Sequence, residues 1–327
     1  MEFEQNSLPP PPGLIATLAA GFNSVANSIV LILPPVLLDL LLWFGPRLSV
    51  QPIFQPLLDA MPRLYANWIP AETLEAAHAF WMDLFSRFNL FAILRTFPVG
   101  IPSLLSLEMP LLSPVGQPLI LQINSFLVLL AAMGGLTLVG WVLGSLYFYW
   151  VSSVVLEKRF SYPIWTFVLQ ALGVNCLGVI LLLSLAFPVM TFLGLATMTN
   201  PALSQIALTF VGVVFLWLLV PVYFSPHGIF VFRMNARLAI SNSLRLARFT
   251  FPATSFFLLL TLLISFGLRF LWQTPPADSW WTLVGIMAHA FISTSLLAAS
   301  FIYYRDVNNW LELVFQRLKA KMNTVKG

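Results

Sequence analysis

The stretch PHGIFVFRMNARLAISNSLRLARFTFP, residues 226–252, decides how the rest of the chain is read. It is the most polar long segment between two runs too apolar to sit in water, and it carries four arginines. Wound as a helix at about 100° per residue, it separates into two faces. Arg233, Arg237, Arg245 and Arg248 fall within roughly a third of the circumference. Ala236, Ala239, Ile240, Ser243, Leu246 and Ala247 collect opposite. Ala239, Ser243 and Ala247 recur at a spacing of four, a pattern that lets two helix backbones approach closely. One face therefore suits a neighbouring helix. The other suits water and anionic headgroups, which attract each such arginine by about 1 kcal/mol. Two readings fit: a solvated loop helix obeying the positive-inside rule, or a dedicated lipid or partner site.

The composition around this segment points to a membrane. Of 327 residues, 59% are hydrophobic and 9% charged, with a mean hydropathy of +0.89. A soluble domain carries about 25% charged residues. The single cysteine, Cys176, lies in an apolar run, so no disulfide framework exists.

Residues 1–12 hold Glu2, Glu4 and the proline run Pro9–Pro12, and read as a disordered or polyproline lead rather than a cleavable signal peptide. Residues 13–45 are apolar almost throughout. As one helix, the 32 residues from Gly13 to Phe44 would measure about 48 Å against a hydrocarbon core of about 30 Å. Asn23, Ser24, Asn27 and Ser28 suit an interfacial helix, leaving Ile29–Phe44 to cross as span 1 with a kink expected at Pro34–Pro35.

Residues 46–122 contain four arginines, five acids and a run of prolines from Pro98 to Pro118, which rules out one continuous helix. They are too apolar for a free loop, so a cap of short helices on the outer leaflet is expected. One helix begins at Pro70-Ala-Glu-Thr, with Leu74, Ala77, Trp81, Leu84 and Phe88 on one side.

Residues 123–304 supply spans 2–6 and include the arginine segment, taken as a cytoplasmic amphipathic helix over 227–250. Span 2 runs over about Gln122–Val151, with a close-packing face at Gly140 and Gly144. A basic turn follows at Glu157-Lys-Arg-Phe. Pro163–Ala196 is again too long for one span, which suggests an interfacial piece over 163–173 before the crossing. Residues 305–327 form an amphipathic tail, with Val307, Trp310, Leu311, Val314, Phe315 and Leu318 at helical spacing and a basic end.

Charge orients the six spans. The turn at 157–162, the arginine segment, the tail and the N-terminus together hold eleven basic residues and five acids, against five basic and seven acidic on the other side. The expectation is a cytoplasmic (inner) membrane protein with both termini cytoplasmic. A weak three-fold pattern of an interfacial elbow followed by a membrane hairpin emerges at 14–28, 163–173 and 227–250. Over-long tilted helices would produce the same lengths.

The order Phe224-x-Pro226, Ala236-x-x-Ala239-x-x-Asn242-Ser243-x-x-Leu246 and then Phe251 before an apolar run resembles bacterial multi-span membrane proteins. These include the membrane domain fused to some glycerophosphodiester phosphodiesterases. The resemblance covers residues 205–265 and implies a membrane module. It carries no activity, because no phosphodiesterase catalytic domain accompanies it.

Catalytic patterns are absent: no GxxxxGK[ST], HExxH, GxSxG or CxxC occurs. His78, His227 and His289 fall in three regions, so neither a metal site nor a cofactor is expected. What needs explaining is polarity within the spans. Asp39 and Arg269, of opposite charge and similar depth, are a candidate pair, with separate snorkelling as the alternative. Asn175 and His289 lie near mid-membrane, as hydrogen-bonded helix contacts or as a relay or ligand site. Arg233, Arg237, Arg245 and Arg248 are candidate headgroup contacts.

The sequence thus predicts an all-α protein of six transmembrane helices with interfacial helices and an extracytoplasmic cap. Its expected partners are membrane lipids and other membrane proteins, not nucleic acid. Its expected role is a non-enzymatic scaffold or accessory subunit, with a permease for an apolar or lipid-like solute as the alternative.

Overall fold

A computed structural model describes residues 10–68, 70–107, 110–157, 163–199 and 201–326. The expected lead up to Pro9 and the basic pair Lys158-Arg159 lie outside them. The chain is an all-α membrane protein. Among the described residues five helices are long and apolar enough to cross a membrane, or six if one bent pair counts as a span.

The bent pair opens the fold. Helix α1 (Leu14–Asn27) buries Thr17, Gly21 and Val25, spaced by four. It ends at Ser28, and a 3-10 turn (Ile29–Ile32) leads into α2 (Leu33–Phe44), the two pieces meeting at 97°. The bend precedes Pro34–Pro35 instead of falling on them. Those prolines start α2, where a missing N–H breaks no helical hydrogen bond.

The segment expected as a cap holds more than short helices. Strand β1 (Arg47–Ser49) pairs in parallel with β2 (Ile120–Gln122), joining its two ends. Between them, α3 (Gln51–Tyr65) and α4 (Ala71–Arg87) pack as a hairpin, with Phe54 stacked on Phe85 at 4.3 Å. Of the residues expected on the inner side of α4, Leu74 is buried while Trp81 and Leu84 are exposed. The Asn89 side chain ties this region together by accepting Leu48 N–H and Phe91 N–H.

Helix α5 (Phe126–Val155) carries the Gly140/Gly144 face. Its partner is not another long helix but the end of a 3-10 helix, Leu90–Leu94, and the loop that follows it. A Cβ at Gly140 would sit 2.7 Å from the Leu94 carbonyl oxygen, and one at Gly144 would sit 2.6 Å from Gly100 Cα.

Three boundaries differ from expectation, each for a local reason. Helix α6 (Ile164–Thr199) is unbroken, so residues 163–173 are not a separate interfacial piece. No proline interrupts it before Pro188, and Gly173 alone costs only about 1 kcal/mol. Helix α7 (Pro201–Phe232) continues through Pro221 and Pro226, so the arginine segment does not begin at 227. The chain breaks at Arg233, which adopts φ 59°, a left-handed conformation suited to ending a helix. Asn235 Oδ1 then accepts Leu238 N–H, and Gln170 Oε1 accepts Ala236 N–H, satisfying first-turn donors of α8 (Ala236–Trp272). Within α8, Thr250 leaves helical geometry two residues before Pro252, separating the arginine-bearing part from the span. Finally, α9 (Trp281–Lys326) runs for 46 residues without a break. The tail from Arg305 is therefore a continuation of the last span, not a separate surface helix. Nothing from 305 to 326 is a proline or glycine that would end it.

The chain divides into two compact units. One contains α1, α6, α7, α5 from Phe148, α8 up to Ile264 and α9 from Thr294. The other contains residues 30–147 and 265–293.

Candidate functional site

In the second unit a polar cluster forms around the turn Ser103–Ser106. Asp39, on α2, has 0% relative exposure. Its Oδ1 accepts the Ser103 hydroxyl at 2.5 Å and Leu105 N–H at 3.0 Å, and its Oδ2 accepts Leu104 N–H at 2.9 Å. A buried carboxylate is costly unless its lone pairs are used, and three donors here meet that need. Arg269, on α8 and 7% exposed, donates from Nη2 to the Leu104 carbonyl. Asp39 and Arg269 thus share one residue of the turn as a common partner.

Arg95 completes the cluster, and sequence reasoning did not single it out. Its Nη1 donates to Ser106 Oγ at 3.2 Å. Burial holds its pKa below the usual arginine range, the Arg269 charge lowers it further, and the Asp39 carboxylate opposes both. His289, on α9 and 5% exposed, lies within electrostatic reach of Arg269 and Arg95. Only the folded loop brings residues 39, 95, 269 and 289 together, so no spacing could announce the set.

Arg47 plays a separate role nearby. Its guanidinium donates to the Ser86 and Arg87 carbonyls, the last acceptors of α4, where a cation also complements the helix dipole. Burial depresses its pKa as well.

In the first unit the arginine segment does two things at once. Ala239, Ser243 and Ala247 are fully buried. Ser243 Oγ donates to the Pro221 carbonyl at 2.6 Å, and a Cβ on Gly228 would lie 3.1 Å from Ala239, so α7 and α8 touch backbone to backbone. Arg237, Arg245 and Arg248 are exposed along α8, while Arg233, also exposed, sits in the break before it. Arg245 lies over the Phe315 ring at 4.9 Å, and Phe249 meets the same ring edge-on at 5.2 Å. Asn242 Nδ2 donates to Tyr304 Oη and Asn308 Oδ1, both at 2.7 Å, fixing α8 against α9.

His227 is the other residue the sequence reading passed over. Its nitrogen Nε2 is 2.7 Å from Ser300 Oγ. Ser300 in turn donates its hydroxyl hydrogen to the Leu297 carbonyl at 2.7 Å. Phe148, Tyr223, Phe224, Phe301 and Tyr304 surround the ring, with centroids 4.8–6.3 Å away. A signal was present: from Ile164 to Phe232 no Asp, Glu, Lys or Arg occurs, and His227 is the one histidine.

Asn175, on α6, is 1% exposed, and neither carboxamide atom has a hydrogen-bond partner among the described residues. It belongs to the first unit and His289 to the second.

Comparison with protein-family models, with curated proteins and with solved structures gives no match.

Proposed function

We propose that this protein is a non-enzymatic membrane scaffold or accessory subunit whose basic helix meets anionic lipid headgroups. The observation that carries the reading is the two-sided character of Ala236–Phe249. Its small-residue face is closed against α7, while Arg237, Arg245 and Arg248 stand exposed on the other side. A helix so anchored offers fixed charge to a membrane surface and has no interior face left for substrate. The distribution of basic residues supports placing this helix and both termini on the cytoplasmic side of the inner membrane.

The test uses full-length protein in mixed bilayers, reading the preference for spin-labelled phosphatidylglycerol over phosphatidylcholine. Changing Arg237 and Arg245 to Gln should lower that preference without unfolding the protein, whereas changing both to Lys should leave it unchanged. A damaging Lys change would mean that a planar guanidinium fork grips a specific group. Orientation is tested separately in a Cys176→Ala background. Asn235→Cys and Asn323→Cys should resist a membrane-impermeant thiol reagent in intact cells, and Ala277→Cys should react. Labelling of the first two would reverse the topology.

A second reading, a permease for an apolar or lipid-like solute, is favoured by Asn175. A buried amide with neither atom bonded costs roughly 1–3 kcal/mol, which a passing polar group would offset. Asn175→Leu should then abolish flux of a fluorescent phospholipid across liposomes, whereas under the scaffold reading it only stabilises the fold.

A further inference from the structure

We infer that the loop over residues 110–119 is a wedge that dips its apolar tip into the lipid leaflet where α5 enters the bilayer. Leu111, Leu112, Val115 and Leu119 are 40%, 44%, 71% and 68% exposed. The tip stands clear of the described chain: Gly116 is left-handed at φ 108°, and a Cβ there would meet nothing within 4 Å. Between Glu108 and Glu157 the sequence holds no Asp, Glu, Lys, Arg or His, so the loop and the span α5 share one uncharged run. In the loop Ser113 is buried, and Gln117 is the exposed polar side chain, a neutral amide suited to headgroup level.

Exposed aliphatic side chains alone would not name what covers them; the backbone beneath them does. Lipid penalises every peptide group left without a partner. Here Ser113 N–H donates to the Gly116 carbonyl at 3.0 Å, and Gly116 N–H donates back to the Ser113 carbonyl at 2.9 Å. The Ser113 hydroxyl donates to the same Gly116 carbonyl at 3.0 Å. Pro110, Pro114 and Pro118 bring no N–H at all. The base of the loop is fixed where a span begins. Arg47 N–H donates to the Leu119 carbonyl at 2.8 Å as β2 starts, and Ile123, just past β2, packs in one core with Leu129 in the first turn of α5. The loop thus continues the lipid-facing surface of α5, whose Phe126 and Leu127 are 61% and 76% exposed. A protein partner fits less well. Binding between proteins is anchored by Trp, Tyr and Arg, and residues 110–119 contain none of them.

The experiment uses the full chain in phosphatidylcholine liposomes, with Cys176→Ala removing the native thiol. Leu112→Cys, Val115→Cys and Leu127→Cys each receive a nitroxide, and its collisions with oxygen, which concentrates in lipid, are compared with those of a nickel chelate, which stays in water. Labels at Leu112 and Val115 should favour oxygen over nickel, as the label at Leu127 does. Nickel collisions matching those of the free nitroxide in buffer would show a loop in water and overturn the wedge. Weak collision with both reagents would show that protein covers the tip, a second copy or another part of this chain, and would overturn it equally. A second variant tests what holds the loop in place. Val115→Asp puts a charge where lipid resists it, so the label at Leu112 should shift from oxygen toward nickel. Because Val115 is 71% exposed, this variant should melt like the parent. An unshifted Leu112 label in a normally melting Val115→Asp protein would show that the apolar tip does not anchor the loop, and the wedge would fall. None of these outcomes bears on the headgroup contacts of Arg237 and Arg245, which lie on α8.

Discussion

Asp39 and Arg269 hold opposite ends of one residue: Asp39 Oδ2 accepts Leu104 N–H at 2.9 Å, and Arg269 Nη2 donates to the Leu104 carbonyl. Their coupling therefore runs through a backbone turn that both must find in place. Asp39→Asn replaces an oxygen acceptor with an N–H₂ donor facing N–H groups, and should cost about 1.5–3 kcal/mol of stability. Arg269→Gln should also destabilise. The double variant should lose less than the sum, by about 0.5–3 kcal/mol, in a denaturant cycle in detergent. Strict additivity would show that the turn does not transmit between them.

The contact of α7 with α8 makes a second prediction. Ser243 is fully buried and bonded to the Pro221 carbonyl. Ser243→Ala should cost about 0.5–1.5 kcal/mol, the worth of one hydrogen bond. Ser243→Leu adds overpacking, with a further cost of about 1–3 kcal/mol. Gly228→Ala should act in the same direction, since its Cβ would lie 3.0 Å from Tyr304 Oη. Equal melting of the Leu and Ala variants would show that the two backbones are not in contact.

His227 separates packing from chemistry. Phenylalanine can occupy an aromatic cage, so His227→Phe should cost less than about 1.5 kcal/mol, while His227→Ala should cost about 3–5 kcal/mol. A His227→Phe protein that melts normally but loses lipid preference or flux would give the ring a working role. If it melts as low as the Ala variant, the Ser300 hydrogen bond governs the site.

The Arg245–Phe315 contact predicts a modest coupling. Both residues reach the surface, so a cycle of Arg245→Gln and Phe315→Leu should give about 0.5–1 kcal/mol. Zero coupling would mean that the Arg245 guanidinium does not rest on the Phe315 ring.

Several of these relationships were legible in one dimension. The apolar runs show that the chain spans a membrane, because a helix is the one way such a run can satisfy its own backbone in lipid. The spacing of Ala239, Ser243 and Ala247 showed that a face of α8 is built for contact, since the helical period alone decides which residues share a face. Gly140 and Gly144 advertised close approach in the same way, but the period could not say to what. The answer is Leu94, at the end of a 3-10 helix, and the loop from it to Gly100, which has no period of its own.

By itself, then, the sequence determined the solvent, the helical class and the buried face of the arginine helix, all of which follow from local regularities repeated over many residues; on α4 the same period named Trp81 and Leu84, which are exposed. Tertiary structure alone decided the rest. It made Arg233 a helix stop, and it brought Gln170 from α6 to supply an acceptor for the start of the next helix beside the local cap Asn235. It joined Asp39 to Arg269 through Leu104 and placed Arg95 beside them, because the groups a buried charge must find can come from any distance along the chain. It closed the aromatic cage on His227 for the same reason. Periodicity reports which side of a helix is buried, and only the folded chain decides what it is buried against.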